Sequence, residues 1–313
     1  MIPIVLTLLS TVSGCSIVLL DNQCDTGPLG DTAQDTGVAP ESRFIDAGTG
    51  GGHTCGILAG GAIECWGIND DGQLNAPSGV FSSIHVGHAH ACALDGMGEV
   101  QCWGRNNHEQ TALSGTFSTV VAGGAHTCGL RESGEVECVG SNEYGQSSPP
   151  EAVFLSISAG ATHTCGITAD RSGQQSSVCW GAIEHSSTEG LVHESSISGT
   201  DWACFEEVDK EGNTSYPCIG ESDDGQHAIP SSLEPGTWTA GAHHGCGLTN
   251  DGTVVCWGSN DAGQATAPAG PYIRVISGGT SLHTCAFEKP SDADQPGWLM
   301  DCWGLDAENQ LAH

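Results

Sequence analysis

A chain of 313 residues with seven Lys and Arg against 38 Asp and Glu carries a formal charge of −31 at pH 7, which repels nucleic acid phosphates and anionic lipid headgroups and so disfavours chromatin or polybasic membrane binding. Sixteen cysteines fit an oxidising compartment in which disulfides persist. The 46 glycines, with few long helical periodicities, point to short strands joined by tight turns.

Residues 1–14 are apolar or small and lead into Val12-Ser13-Gly14-Cys15, which resembles the lipobox of bacterial lipoproteins. The expectation is a signal peptide over residues 1–14 and acylation of Cys15, giving a lipid-anchored protein of the outer membrane or cell surface of a bacterium. No Lys or Arg precedes the apolar run, unlike the usual signal peptide; the alternative is an uncleaved anchor, which at roughly 20 residues barely spans a bilayer. Residues 15–41 are rich in Asp, Thr, Gly and Pro and read as a flexible acidic tether, since they bury too little apolar surface to offset ordering entropy. Cys24 lies there without an obvious partner.

Residues 42–313 repeat. The frame is His-x-Cys-x-aliphatic, a polar turn, aliphatic-x-Cys-Trp-Gly and often Asn-x-x-Gly-Gln, first met from His53 to Gln73. It occurs seven times at a period of 36–42 residues, which marks a repeat array; two or more strand-like runs per period point to propeller blades. Four units open on short apolar runs ending in small residues, Phe81–Gly87, Phe117–Gly123, Phe154–Gly160 and Tyr272–Gly278, suited to crowding at a central axis.

The cysteines form seven pairs: Cys55/Cys65, Cys92/Cys102, Cys128/Cys138, Cys165/Cys179, Cys204/Cys218, Cys246/Cys256 and Cys285/Cys302. In units 1, 2, 3 and 6 the partners are ten apart with the turn at the midpoint, so an antiparallel hairpin places Cys92 opposite Cys102 and Leu94 opposite Val100 on one face. Directly opposed cysteines lie within disulfide range, and each such bridge contributes about 2–3 kcal/mol. Six units place His two residues before the first cysteine (His53, His90, His126, His163, His244, His283), with Trp202 in unit 5. Zinc is the competing reading. Cys-x2-Cys spacing is absent and each unit offers only three ligands, so the expectation is no metal and histidines hydrogen-bonded between strands or blades.

This frame resembles the repeat of the regulator of chromosome condensation family, whose members are seven-bladed β-propellers. The resemblance covers about residues 42–313 and implies an all-β, seven-bladed propeller with one blade per repeat. Unit 3 departs from it with Val139 and unit 5 with Ile219 in place of Trp; unit 4 lacks the Gly-Gln, and unit 7 ends in Asn309-Gln310. Family members range from an exchange factor to ubiquitin-ligase modules, a plant ultraviolet receptor and a β-lactamase inhibitor, so function is not implied and no functional residue is carried over.

Catalytic motifs are absent, and the carboxylates concentrate in turns (Asp70-Asp71, Asp223-Asp224, Asp251, Asp261), where turn chemistry explains them. No catalytic residue and no cofactor are expected; a hydrolase site on the axis is the least favoured alternative. The segment between paired cysteines lengthens in units 4, 5 and 7, and insertions at one point of a repeat emerge on one face, often the binding one. That face is expected to present Arg171, Gln174, Glu206, Glu207, Lys210, Tyr216, Lys289, Asp292, Asp294 and Trp298. The reading is a monomeric platform for an unidentified protein partner, attached to membrane only by lipid. The alternative is a glycan-binding or structural envelope protein with Trp298 and Tyr216 stacking on sugars.

Overall fold

The strand-like runs of each repeat form one antiparallel sheet, and seven sheets follow one another along the chain. The computed structural model describes residues 43–187, 192–290, 296–306 and 311. Cys15, Cys24, the tether, Asp292 and Asp294 lie outside them. Blade 1 is Phe44–Thr49, His53–Leu58 and Ile63–Gly67; blade 2 is Phe81–Val86, His90–Asp95 and Val100–Gly104; blade 3 is Thr119–Ala122, His126–Leu130 and Val136–Gly140. Blade 4 is Phe154–Ala159, His163–Ala169 and Gln175–Gly181 with an added strand, His185–Ser187; blade 5 is Val192–Ser198 and Trp202–Val208 with a split third strand, Thr214–Ser215 and Cys218–Gly220. Blade 6 is Thr239–Ala240, His244–Leu248 and Val254–Gly258, and blade 7 is Tyr272–Ile276, His283–Glu288 and Met300–Gly304.

The middle strand of each blade pairs with both others. Cys92 faces Cys102 and Leu94 faces Val100, and in blade 6 Cys246 faces Cys256 and Leu248 faces Val254, as the hairpin geometry requires. All seven pairs are disulfides: Cys55–Cys65, Cys92–Cys102, Cys128–Cys138, Cys165–Cys179, Cys204–Cys218, Cys246–Cys256 and Cys285–Cys302, with Cα atoms 4.0–4.1 Å apart. That is the short spacing of directly opposed, non-hydrogen-bonded residues.

Sequence spacing treats the two members of a pair alike, but the structure does not. The first cysteine of each pair (Cys55, Cys92, Cys128, Cys165, Cys204, Cys246, Cys285) lies on the middle strand and is fully buried. Cys65, Cys102, Cys138, Cys218, Cys256 and Cys302 lie on the third, outer strand and are only partly buried. Cys179 is the exception and is buried, because the added strand of blade 4 pairs His185 against it.

The first strands line a central channel, where Val86, Ala159, Ser198 and Ala240 are small enough to let seven sheets converge. No single core exists. Seven apolar clusters each fill one gap between neighbouring blades, such as Ile57 and Cys55 against Ile84 and Ala93, or Leu94 and Cys92 against Phe117 and Val120. The seventh gap joins blade 7 to blade 1, with Phe287 and Cys285 packed on Phe44 and Ala47. Phe44 and Trp298 exchange backbone hydrogen bonds across that joint at 2.9 and 2.8 Å, so the ring closes and hides its sheet edges there.

The histidines cross the same gaps. His90 Nε2 lies 2.8 Å from Thr127 Oγ1 of the next blade, and Thr127 Oγ1 donates to the Gln110 carbonyl at 2.7 Å. The hydroxyl proton is thus committed, so the imidazole donates from Nε2. His126 repeats this with Thr164, His244 with Thr284 and His283 with Thr54, the last closing the ring at 2.7 Å. The threonine is the residue after the next blade's histidine; blades 2 and 5 have Ala91 and Ala203 there, and both ring nitrogens of His53 and His163 are left without a partner. Trp202, which takes the histidine's place in blade 5 where the next blade has Gly245 at the threonine's position, turns its indole N–H to the Ala242 carbonyl at 2.9 Å. A glycine lies three residues before each ring except His283, where Thr280 stands; a Cβ on Gly87 would stand 2.6 Å from His90 Cε1 and 2.5 Å from the Gly123 carbonyl oxygen.

Supplying the missing partner is expected to stabilise the ring. Ala91→Thr recreates the arrangement of the other blades beside Trp103, as Thr54 does beside Trp66, and is expected to gain about 1 kcal/mol in denaturant unfolding. Gly245→Thr is expected to lose about 1–3 kcal/mol in the same assay, because its Cβ would run into the Trp257 ring.

Burial, with the charges of neighbouring histidines secondary, pushes His53, His90 and His126 down to about 3; burial likewise lowers His163, His244 and His283 to about 4. The unfolded chain takes up these protons near pH 6.5 and the folded chain refuses them until about 3–4. Stability is therefore complete above pH 6.5 and lost as pH falls toward 4, at up to about 1.4 kcal/mol per pH unit for each titrating group. Urea midpoints are expected to coincide at pH 7 and 8 and to fall steeply from pH 6.5 to 4.5; a flat profile would refute neutral burial.

Candidate binding surfaces

The turns between second and third strands form one face of the ring, called here the hairpin face. The turns between first and second strands and the Asn-x-x-Gly-Gln loops form the other, the loop face. Turn carboxylates on the hairpin face are used locally: Asp95 Oδ1 accepts the N–H groups of Met97 and Glu99 at 2.8 and 2.9 Å. Asp170, Asp209 and Asp251 do the same, and side-chain hydrogen bonds from Ser172, Asn213 and Thr249, with the backbone N–H groups second, hold their carboxyls below the ordinary range.

Arg171, Gln174, Lys210 and Lys289 are exposed on the hairpin face. Glu206 and Glu207 are not presented there. Their strand, Trp202–Val208, continues past the usual hairpin length, so the extra residues extend the sheet and both are buried. Glu206 Oε2 accepts Ser195 Oγ–H and the Gly236 N–H at 3.0 Å each, and Trp238 Nε1 donates to Ser195 Oγ at 2.9 Å. Tyr216 is half-buried, edge-on to Trp238 at 5.1 Å. Trp298 is half-buried against Phe287 at 5.8 Å, because the lengthened segment of blade 7 is spent on sealing the joint with blade 1. Neither ring is a free platform for a sugar.

Other residues take their place. Val80, Met97, Val153, Leu155 and Ile273 are exposed on the hairpin face, Met97 by 81%. Met97 and Arg131 line a cavity of about 530 Å³ between blades 2 and 3, where the Arg131 guanidinium lies 4.5 Å from the Phe117 ring centroid. A sequence signal existed: Val80 and Val153 directly precede the aromatic residue that opens an inner strand, so they fall at the turn end of the blade.

The channel holds about 490 Å³. Asp46 of blade 1 pairs with Arg274 of blade 7 at 2.6 Å and accepts the Ile84 N–H of blade 2 at 2.9 Å, binding three blades together. His85 also lines the channel, and burial lowers its pKa while Asp46 opposes the shift. Ser158 hydrogen-bonds to Ser196 and Ser198 at 3.0 and 2.9 Å.

On the loop face each motif folds on itself. The Asn142 side-chain oxygen accepts the Ser147 N–H, and Gln146 Oε1 accepts the Tyr144 N–H at 2.9 Å. The next blade's Trp180 Nε1 donates to the Gln146 carbonyl at 2.9 Å, a contact repeated by Trp103, Trp257 and Trp303. The motif's third position stays free to vary: Asp71, His108, Tyr144 and Asp224 in four blades. Asp71 pairs with Arg105 at 2.7 Å and Asp224 approaches His243 at 3.9 Å. Between these loops lies a central bowl of about 550 Å³ lined by His88, Arg105, His108, Glu143, Tyr144 and His243.

These features define a seven-bladed β-propeller stapled within its blades. Three of its repeats, residues 81–110, 117–146 and 239–264, match the family described as Regulator of chromosome condensation (RCC1) repeat. It is similar to the CRINKLY WD40 ectodomain of the Arabidopsis thaliana receptor kinase ACR4, at 23% identity and a TM-score of 0.66 over 87% of this chain and 98% of that one. It is also similar to the ectodomain of the Physcomitrella patens receptor kinase CR4 (24% identity, TM-score 0.62, 84% and 73% covered) and to yeast RCC1, Prp20 (15%, 0.55, 75% and 78%). At these identities the likeness shows the fold. No curated protein sequence matches the chain.

Proposed function

We propose that the protein is a lipid-anchored propeller of the bacterial cell envelope that binds another protein through its hairpin face. The observation that carries this reading is the distribution of exposed apolar side chains: Val80, Met97, Val153, Leu155 and Ile273 all project from that face. Arg171, Lys210 and Lys289 project beside them, four-sevenths of the chain's scarce cations when Arg131 is included. Apolar anchors rimmed by charge are the composition of protein interfaces, and a ring already rigid loses little entropy on docking. Yeast RCC1, a propeller of the same fold, is known in a structure bound to Kap60. The activity is binding without turnover, and the lipobox-like Val12–Cys15 supplies the attachment.

Two measurements test the reading. Oxidised propeller and a Met97→Ser/Val153→Ser/Leu155→Ser variant serve as baits for envelope proteins of the host. A stoichiometric partner is expected on the first, weakened about tenfold or more on the second and unchanged with Tyr144→Ala; equal retention by all three would refute the hairpin face. Cys15→Ala is expected to move the chain from the membrane fraction to the soluble one, and unchanged fractionation would refute lipidation.

A further inference from the structure

We propose that the bowl at the centre of the loop face is a binding site for an uncharged carbohydrate, with Tyr144 as its stacking platform. The site is distinct from the hairpin face and independent of the reading given to it. Its volume of about 550 Å³ lies within the range of small-ligand sites. Tyr144 is 58% exposed, while every Trp, every Phe and the other two Tyr residues are buried or half-buried. A chain that tucks sixteen of its seventeen aromatic rings into the gaps between blades leaves one ring bare, and that ring lines the bowl.

The platform is prebuilt. Tyr144 N–H is held by Gln146 Oε1, Gln146 is buried, and its carbonyl is held by Trp180 of the next blade, so the loop does not need ordering on binding. Around the ring stand groups that donate and accept: the Arg105 guanidinium, the Glu143 carboxylate and the imidazoles of His88, His108 and His243. Gly124, Ala161 and Ala242 make a smooth floor. A phenol face with a ring of mixed polar groups matches a sugar, whose C–H face is apolar and whose edge is hydroxylated.

Charge selects among ligands. A net −31 opposes anions, and the one guanidinium of the bowl is already paired with Asp71. A cation would meet that guanidinium and gain contact with Glu143 alone among the lining carboxylates. A neutral polyol meets neither penalty.

Saturation-transfer NMR on the oxidised propeller tests this with N,N′-diacetylchitobiose, cellobiose, maltose and lactose as probes, glucuronate and glucosamine as charged controls, and insoluble chitin and cellulose in a pull-down arm. Transfer to at least one neutral disaccharide, weakened about tenfold by Tyr144→Ala, retained by Tyr144→Phe and indifferent to Met97→Ser, is expected. Retention on a polymer alone with the same Tyr144 dependence supports the site and assigns its source to a wall or matrix glycan. Absence of binding to every neutral probe, binding indifferent to Tyr144→Ala, or preference for a charged control overturns the proposal. Tyr144 is exposed, so its substitution leaves the fold intact and unchanged urea midpoints verify it.

Discussion

A three-stranded sheet has two faces to cover and cannot cover either with its own residues, so everything in this molecule depends on the gap between one blade and the next. Each gap is filled by apolar side chains and crossed by directed contacts: an imidazole to a threonine hydroxyl, and an indole to a glutamine carbonyl. The glutamine carbonyl can take either contact. Gln110 receives Thr127 alone where Val139 replaces tryptophan, while Gln146 receives both Thr164 and Trp180. The repeat's consensus residues are therefore halves of interactions whose other halves lie in the neighbour, and stability accumulates pairwise around the ring.

The two ends of the ring carry different chemistry for a topological reason. Hairpin turns occupy one end, and because a turn between paired strands can lengthen without disturbing the gaps, that end accumulated insertions and bare apolar side chains. At the other end the loop between blades is tied down by its Asn and Gln, which leaves only single positions free. Variation there is confined to side chains on a fixed backbone, the condition under which a small-ligand site is built.

Much of the architecture was legible in the sequence. The ten-residue cysteine spacing with a central turn dictated register, and the pairs formed as read; that Cys65 or Cys302 would sit less enclosed than its partner was not legible, because spacing does not say which strand of a hairpin lies outermost. The histidines were recognised as bridges, yet the partner was not: it requires knowing that Thr127 of one blade stands opposite His90 of another, a relation between repeats that alignment within one repeat does not display. The binding-face residues were only half legible. Arg171 and Lys210 stand in turns and are exposed, but Glu206 and Trp298 belong to segments whose added length went into sheet and seam, and length alone does not say which way an insertion goes. Tyr144 escaped notice because it is one variable position in a recurring loop, and its meaning comes from convergence of loops distant in sequence.

Among the described residues every disulfide joins cysteines 10, 14 or 17 residues apart and none joins two blades. Of the many ways to pair fourteen cysteines, the native one always takes the nearest neighbour in the chain. Oxidation can therefore proceed from the first repeat onward while later repeats have yet to be made, each hairpin locked in register before the ring exists. Every joint between blades, that of blades 7 and 1 included, is left to noncovalent contacts, so docking of one blade on the next stays reversible although the hairpin inside each blade is locked covalently.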